Sequence, residues 1–279
     1  MKTSRLPLFG MFVSGLLALA LVTPLPTSGQ DGPVIVYGDS RHGHDVHRET
    51  ISAIMSENPA AVFHTGDYVT TPDREDQWDA FFEITAPLRN TAPFYPARGN
   101  HDGVRDPFAS RFSLPEGSTW YTVILPDMRF IVLDSNASLS PDSPQYRWLI
   151  DELSSDEHGE RYLFVVLHHP IYNSTAGGHT EDEKGLIPTI ENLLVTAGVD
   201  LVFAGHVHAY ERLENNGVTY LIAGGGGAGL YAQKKRSDQS LLYEMKHHYV
   251  RLMSGNDGLL VEAVAIDGSV IDSFVETND

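Results

Sequence analysis

The sequence contains no cysteine and has few basic residues for its length. Without cysteine the chain can form neither a disulfide framework nor a thiolate metal site, so nitrogen and oxygen atoms must hold any bound metal. Lysine and arginine number 19 against 37 aspartates and glutamates, which gives a formal net charge of −18. This excess excludes a general binder of nucleic-acid backbone, because such a protein needs a basic face. The 13 histidines allow a metal site with imidazole ligands.

The amino-terminal segment has the pattern of an export signal. Lys2 and Arg5 precede an apolar stretch over residues 6–22, and prolines and small residues follow over 23–29. A basic start, an apolar middle and a small-residue exit are typical of a secretory signal peptide. We therefore expect a cleaved signal peptide over residues 1–29 and an extracytoplasmic protein, periplasmic or secreted, without a stable membrane span. An uncleaved anchor is the alternative, although internal prolines and glycines make the stretch marginal for a span.

Short apolar runs that end abruptly in polar residues recur along the chain. Such runs predict strands that are buried on both faces, and amphipathic helical patterns lie between several of them. Alternating strands and helices predict a largely parallel sheet, in which ligands gather at the carboxyl ends of the strands. The predicted strands are 34–37, 61–63, 94–97, 120–125, 129–133, 162–167 and 201–204, and the predicted helices are 46–56, 77–88, 145–153 and 187–197.

The carboxyl-terminal part of the sequence has a different pattern. Four apolar segments after Gly217 are separated by short turns, which is typical of antiparallel hairpins. We expect these late strands, at 218–222, 249–253, 259–266 and 270–274, to form the second sheet of a sandwich. His247 and His248 are expected at the surface, whereas His64 lies inside a predicted strand and is expected in the core.

Six polar side chains follow five of the predicted strands, so one sheet edge would bring them together. Imidazole suits zinc, iron, copper and nickel, and carboxylate or carbonyl oxygen suits manganese. Six ligands exceed the requirement of one zinc ion and suit two ions about 3.5–4 Å apart that share a carboxylate, an arrangement used for in-line attack on phosphorus. The six candidates are Asp39, Asp67, Asn100, His168, His206 and His208.

These residues lie in five motifs: Gly38-Asp39, Gly66-Asp67, Gly99-Asn100-His101-Asp102, His168-x-Pro170 and Gly205-His206-Val207-His208. In order and spacing the series resembles the calcineurin-like metallophosphoesterase superfamily, and residues 205–212 resemble its purple acid phosphatase branch. The resemblance implies one domain over residues 30–279 with an α/β fold, a four-layer α/β/β/α sandwich of two mixed sheets flanked by helices. It also implies a hydrolase of phosphate monoesters or diesters, which uses a metal-bound hydroxide at a dinuclear site, and the signal pattern implies that this hydrolase is exported.

The resemblance further implies a role for each candidate residue. Asp67 would bridge two metal ions of iron, manganese or zinc. His101 would donate a proton or hydrogen bond to the leaving oxygen of a small phosphate-ester substrate. His179, in the polar loop 173–183, would contact that substrate, or would be a solvated loop residue. Asp39 and His208 would belong to the first ion, and Asn100, His168 and His206 to the second.

Two positions depart from the family pattern. Arg41 stands where many relatives have a histidine, and a guanidinium cannot coordinate a cation. Thr70 stands where purple acid phosphatases have a ligand tyrosine, so we expect a weaker first site and no tyrosinate-to-iron colour. His44, His47, Tyr68 or water would supply the missing ligand. Arg41 would instead grip a phosphate oxygen or form a structural ion pair.

Three other functions stay open at this point. A phosphodiesterase of nucleotides or phospholipids would use the same site. A binding or scaffold module would keep the sandwich and lose turnover, which the departures at Arg41 and Thr70 allow. A purely architectural metal would need closed coordination, whereas these residues leave room for water.

Overall fold

The computed structural model describes residues 32–103, 108–114, 118–155 and 160–277. The predicted signal peptide at 1–29 lies outside these residues and stays a prediction. In the described ranges, no helix combines the length and the apolar character that crossing a membrane requires. Strands and helices are numbered along the chain.

The first sheet has six strands in the spatial order β15-β14-β13-β1-β2-β3. Strands β1 to β3 are parallel, and β13 pairs antiparallel with β1. The ranges are β1 (Val34–Tyr37), β2 (Ala61–His64), β3 (Phe94–Pro96), β13 (His248–Gly255), β14 (Gly258–Ala265) and β15 (Val270–Glu276).

The second sheet has seven strands in the order β12-β9-β10-β8-β6-β5-β4. Its four central strands, from β10 to β5, are parallel, and the outer strands pair antiparallel. The ranges are β4 (Tyr121–Leu125), β5 (Met128–Val132), β6 (Tyr162–Val166), β8 (Leu201–Ala204), β9 (Tyr210–Asn215), β10 (Val218–Ala223) and β12 (Ser240–Glu244). A short ribbon pairs β7 (Thr175–Ala176) with β11 (Gln233–Lys235).

The four predicted helices lie close to their predicted positions, and a short helix, α3, lies where none was predicted. Ser143 accepts a hydrogen bond from the Tyr146 backbone N–H and so caps α4, whose first residue is proline. The helix predicted at 187–197 begins with a π-helical turn, Ile187–Glu191, that contains Pro188, which has no N–H to donate. The α-helices are α1 (His44–Ser56), α2 (Glu75–Arg89), α3 (Phe108–Arg111), α4 (Pro144–Leu153) and α5 (Asn192–Thr196).

The two sheets pack face to face, and helices cover their outer faces. The rings of Phe63 on β2 and Phe130 on β5 stack with centroids 4.0 Å apart in the layer between the sheets. On the outside of the first sheet, Ile35 packs with Ile54 of α1. On the outside of the second sheet, Val165 packs with Leu149 and its neighbours. The predicted four-layer α/β/β/α sandwich is confirmed.

The expectation that the late strands form the second sheet by themselves is wrong. Strands β13 to β15 extend the first sheet, whereas β9, β10 and β12 complete the second. The physical reason is that β1 is buried on both faces and along both edges, so it needs a partner on each side. Val250 of β13 supplies that partner opposite Val36.

The expected surface position of His248 is also wrong. His248 is fully buried at the start of β13, and its Nδ1 atom lies 2.9 Å from the Lys246 carbonyl oxygen. Burial lowers the pKa of His248 to about 4. His247 is half-buried beside the Gly225 carbonyl oxygen. His64 lies in the core as predicted, with Nε2 3.2 Å from the Ser40 hydroxyl and Nδ1 accepting the Gly66 N–H.

A buried histidine on α1 makes stability depend on pH. His47 stacks on Phe81, and its Nε2 lies 3.3 Å from the Tyr37 hydroxyl. Burial lowers the pKa of His47 to about 3, whereas the unfolded chain protonates it near 6.5. Between those values the unfolded state binds more protons, so stability falls as the pH falls.

We expect His47 alone to lower the free energy of unfolding by about 2 kcal/mol between pH 8 and pH 5. Urea unfolding at both pH values measures this loss in the parent protein and in His47→Gln, which no longer titrates there. The variant should lose less stability on acidification, by about that amount. Equal losses in the two proteins would contradict the assignment.

Candidate metal centre

The candidate ligands lie at the carboxyl ends of the parallel strands, and three of them have positive φ angles. Asp39 after β1, Asp67 after β2 and His206 after β8 have φ angles of +57°, +62° and +69°. Non-glycine residues avoid this left-handed region, at a cost of about 1–2 kcal/mol each. Three such residues in one cluster indicate that the fold holds them for a purpose other than stability.

The first group of side chains joins Asp39 and His208. His208 Nδ1 lies 2.8 Å from the Gly229 carbonyl oxygen, which accepts a hydrogen bond and so assigns the proton to Nδ1. His208 Nε2 is therefore bare, is buried without a hydrogen-bond partner, and lies 3.5 Å from Asp39 Oδ1. Two buried acceptors that face each other in this way fit a shared cation.

The second group places three acceptor atoms around one point. Asn100 Oδ1 lies 2.8 Å from His168 Nε2 and 3.0 Å from His206 Nδ1, and the two nitrogens are 3.2 Å apart. His168 Nδ1 donates to the Thr65 carbonyl, and His206 Nε2 donates to Glu183, so both inward nitrogens carry lone pairs. Two imidazole lone pairs and an amide oxygen are all acceptors, so they cannot hydrogen-bond with one another. All three can bind a metal ion.

Burial keeps the His206 imidazole neutral. His206 is 6% exposed, and burial, aided by the nearby His168 and His169 rings, lowers its pKa. His169 is one residue off the cluster and hydrogen-bonds with the Ser135 hydroxyl at 2.8 Å, and burial lowers its pKa to about 2. A neutral ring is the form that coordinates a metal.

Asp67 lies between the two groups. Its Oδ1 atom is 3.4 Å from His168 Nε2, and carboxylate oxygens of Asp39 and Asp67 and a nitrogen of His168 all lie within 4.8 Å of one another. Its Oδ2 atom is 3.2 Å from Arg41 Nε. The Asp67 carboxylate thus contacts the second group through His168 and has an oxygen within 4.8 Å of an Asp39 oxygen in the first group.

A second buried carboxylate fixes the loops that carry these ligands. Asp102 accepts hydrogen bonds from the backbone N–H groups of Asp67, Tyr68 and Gly99, at 3.0, 2.9 and 2.7 Å. The loops approach so closely that a Cβ atom at Gly99 would lie 2.2 Å from Asp67 Oδ1. Burial and the neighbouring Asp67 raise the pKa of Asp102 to about 7. Asp102 therefore positions the shared carboxylate.

The three candidate catalytic residues surround the cluster. The His101 backbone N–H donates to Asp67 Oδ1 at 3.0 Å, and its Nδ1 lies 3.0 Å from the Thr70 carbonyl oxygen, which leaves Nε2 free. Arg41 is mostly buried against Asp67. The His179 ring lies 4.1 Å from the His206 ring.

Two of the alternative ligands for the first ion, His47 and Tyr68, make their contacts elsewhere. His47 is in the core, as described above. The Tyr68 hydroxyl donates to the Ala97 carbonyl at 3.0 Å, and the ring packs among Trp78, Phe81 and other aromatic side chains. His44 is the half-buried first residue of α1.

Sequence reasoning missed two residues beside the cluster. Glu183 Oε2 lies 3.0 Å from His179 Nδ1 and 3.2 Å from His206 Nε2. Tyr231 stacks on His208 with ring centroids 4.1 Å apart, and burial raises its pKa. Both belong to irregular segments, where no periodic pattern indicates the direction of a side chain. The acidic run around Glu183 resembles an ordinary solvated loop.

Comparison with known proteins agrees with the geometry. Residues 32–210, a range that includes all six candidate ligands, match the calcineurin-like phosphoesterase family. Purple acid phosphatase 18 of Arabidopsis thaliana is 31% identical over 198 residues, which are 63% of this chain and 45% of that protein. Purple acid phosphatase 1 of Ipomoea batatas is 32% identical over 231 residues, which are 72% of this chain and 47% of that protein.

The chain spans about half the length of the curated relatives that it matches. The solved purple acid phosphatase PPD1 from seeds of yellow lupin (Lupinus luteus) superposes with a TM-score of 0.75 at 23% identity, and the match covers 87% of this chain and 53% of that one. This likeness shows the fold. With the family match over more than half of its length, the chain belongs to the calcineurin-like phosphoesterase family.

Proposed function

We propose that the chain is an exported, metal-dependent phosphoesterase that hydrolyses small phosphate monoesters or diesters. The observation that carries this proposal is the crowding of three acceptor atoms, from Asn100, His168 and His206, within 3.2 Å of one another. The names of the relatives support acid-phosphatase chemistry. The predicted signal peptide supports export.

Metallophosphoesterases of the purple acid phosphatase type use two metal ions, of iron, zinc or manganese. Two bound cations would neutralise the charge of a phosphate ester and lower the pKa of water towards neutrality. We assign Asp67 to both ions, because its carboxylate contacts His168 of the second group and lies within 4.8 Å of Asp39 in the first. Asp39 and His208 would hold the first ion, and Asn100, His168 and His206 the second.

We assign His101 the role of proton donor to the leaving oxygen. The Thr70 carbonyl accepts from its Nδ1 and fixes the ring, so the proton that a substrate could take is the second proton of the imidazolium form, on Nε2. Because its backbone N–H holds Asp67, removal of the imidazole leaves the carboxylate anchored.

Arg41 and His179 are assigned to the phosphoryl group. Arg41 lies at the shared carboxylate, and its planar guanidinium suits phosphate oxygens. His179 lies against the second group from the opposite loop. Arg41 would supply positive charge, and both side chains would supply hydrogen bonds, where negative charge develops.

His206→Ala is expected to lose one of two bound cations. Turnover should fall to below about a hundredth of the parent rate. Even the loss of a residue that only supports a ligand typically lowers metal affinity or activity by about 10–100-fold. Elemental analysis of the purified protein and hydrolysis of 4-nitrophenyl phosphate and bis(4-nitrophenyl) phosphate measure both effects. His247→Ala, outside the cluster, is the control. A His206→Ala protein with two metals and full activity would overturn the ligand assignment.

His101→Ala is expected to keep both cations and to slow turnover by about 10²–10⁴-fold on an alkyl phosphate. The loss should be much smaller on 4-nitrophenyl phosphate, whose leaving group needs no proton. Steady-state rates on the two substrates test this difference. If turnover falls equally on the two substrates, His101 is not the proton donor. If turnover is unchanged on both, His101 has no role in the site.

Iron-loaded protein is expected to show no visible tyrosinate-to-iron charge-transfer band. Thr70 occupies the position of the family's ligand tyrosine, and the Tyr68 hydroxyl is bonded to the Ala97 carbonyl. Absorption spectra before and after iron loading test this expectation. A band would contradict it, and the loss of that band in Tyr231→Phe would identify Tyr231 as the phenolate ligand.

A further inference from the structure

The loop that follows β7 carries Glu183 to the second group. The β7–β11 pairing anchors the start of this loop. Further along the loop, the Ser237 hydroxyl donates to Glu181 Oε1 at 2.5 Å. The Asn173 amide donates to the Thr180 carbonyl at 3.2 Å. These contacts fix the loop on both sides of His179, so the position of Glu183 is set by more than its own hydrogen bonds.

One carboxylate oxygen of Glu183 accepts from two imidazoles. Oε2 lies 3.0 Å from His179 Nδ1 and 3.2 Å from His206 Nε2. The Glu183 side chain is 39% exposed, whereas that of His206 is 6% exposed. The carboxylate therefore reaches from the solvent edge down to a buried ring and joins it to the loop histidine.

The contact with His206 decides which of its ring nitrogens is bare. His206 Nδ1 faces Asn100 Oδ1 and His168 Nε2. A neutral imidazole carries one proton, and the hydrogen bond at one nitrogen sets which nitrogen has it. A carboxylate at Nε2 keeps the proton there and leaves the Nδ1 lone pair pointing into the acceptor cluster.

We propose that Glu183 is a positioning residue whose carboxylate holds His206 in the tautomer and orientation that a second cation requires, and holds His179 to the same centre. The proposal rests on the proposed function, in which Asn100, His168 and His206 bind that cation. Partners of this kind, behind a ligating histidine, typically change metal affinity by about 10–100-fold when they are removed.

A solely structural role for Glu183 has a different consequence. A partly exposed His–Glu pair contributes little to stability, and its loss would leave metal affinity unchanged. Metal affinity and the His206 tautomer therefore separate the two roles, whereas activity alone does not.

The test uses the full chain with Glu183→Ala, Glu183→Gln and the matched control Glu181→Ala. Glu181 lies in the same loop and contacts the Ser237 hydroxyl instead of an imidazole. Calorimetric titration of metal-free protein with Mn²⁺ or Zn²⁺ measures the affinity of each binding step. Two-bond ¹H–¹⁵N NMR of the metal-free protein reports the tautomer of His206.

Glu183→Ala should weaken one of two binding steps by about 10–100-fold and should leave His206 as a mixture of tautomers. Glu183→Gln should recover part of the affinity, because the amide oxygen still accepts from His206. Glu181→Ala should match the parent protein in both measurements.

The failures of the two proposals are distinguishable. A parent protein that binds two cations, with a Glu183→Ala variant of equal affinity and unchanged tautomer, overturns the role of Glu183 and leaves the proposed function standing. A parent protein that binds no cation overturns both. If Glu181→Ala lowers metal affinity as much as Glu183→Ala does, the specific role of Glu183 is also overturned, because the loop as a whole would then be responsible.

Discussion

Unsatisfied lone pairs are the constraint on which the rest of this structure depends. His168 Nε2, His206 Nδ1 and Asn100 Oδ1 meet within 3.2 Å, and His208 Nε2 faces Asp39 without a hydrogen-bond partner. Buried acceptors without donors cost free energy, about 1–3 kcal/mol each. A cation between them would turn this cost into binding energy, and the surrounding residues act chiefly to keep the lone pairs in place.

The two-sheet topology brings these atoms together from distant parts of the sequence. Asp39 and Asp67 leave the first sheet, while His168 and His206 leave the second, and the carboxyl ends of both parallel halves lie at one edge. Strained backbone at Asp39, Asp67 and His206 aims the side chains inward. Rigid packing between the sheets resists relaxation of that strain and keeps the candidate ligands in place.

Much of this arrangement could be predicted from the sequence because it depends on local patterns. Apolar runs that end in polar residues indicate the central strands and the ends that face the site. Strand β9 has no such pattern, because Glu211 lies inside it, fully buried and bonded to the Ser174 N–H and hydroxyl. The pairing of β13 with β1 and the burial of His248 depend on tertiary contacts, as do the contacts of Glu183 and Tyr231. Such contacts leave no periodic signal in one sequence.

Anomalous diffraction from crystals grown with Mn²⁺ tests the central claim most directly. The account predicts two peaks about 3.5–4 Å apart. Asp67 should lie between them, with one peak beside Asp39 and His208 and the other beside Asn100, His168 and His206. Crystals that show no peak in this cluster, or imidazoles that turn to hydrogen-bond with one another instead, would contradict the account.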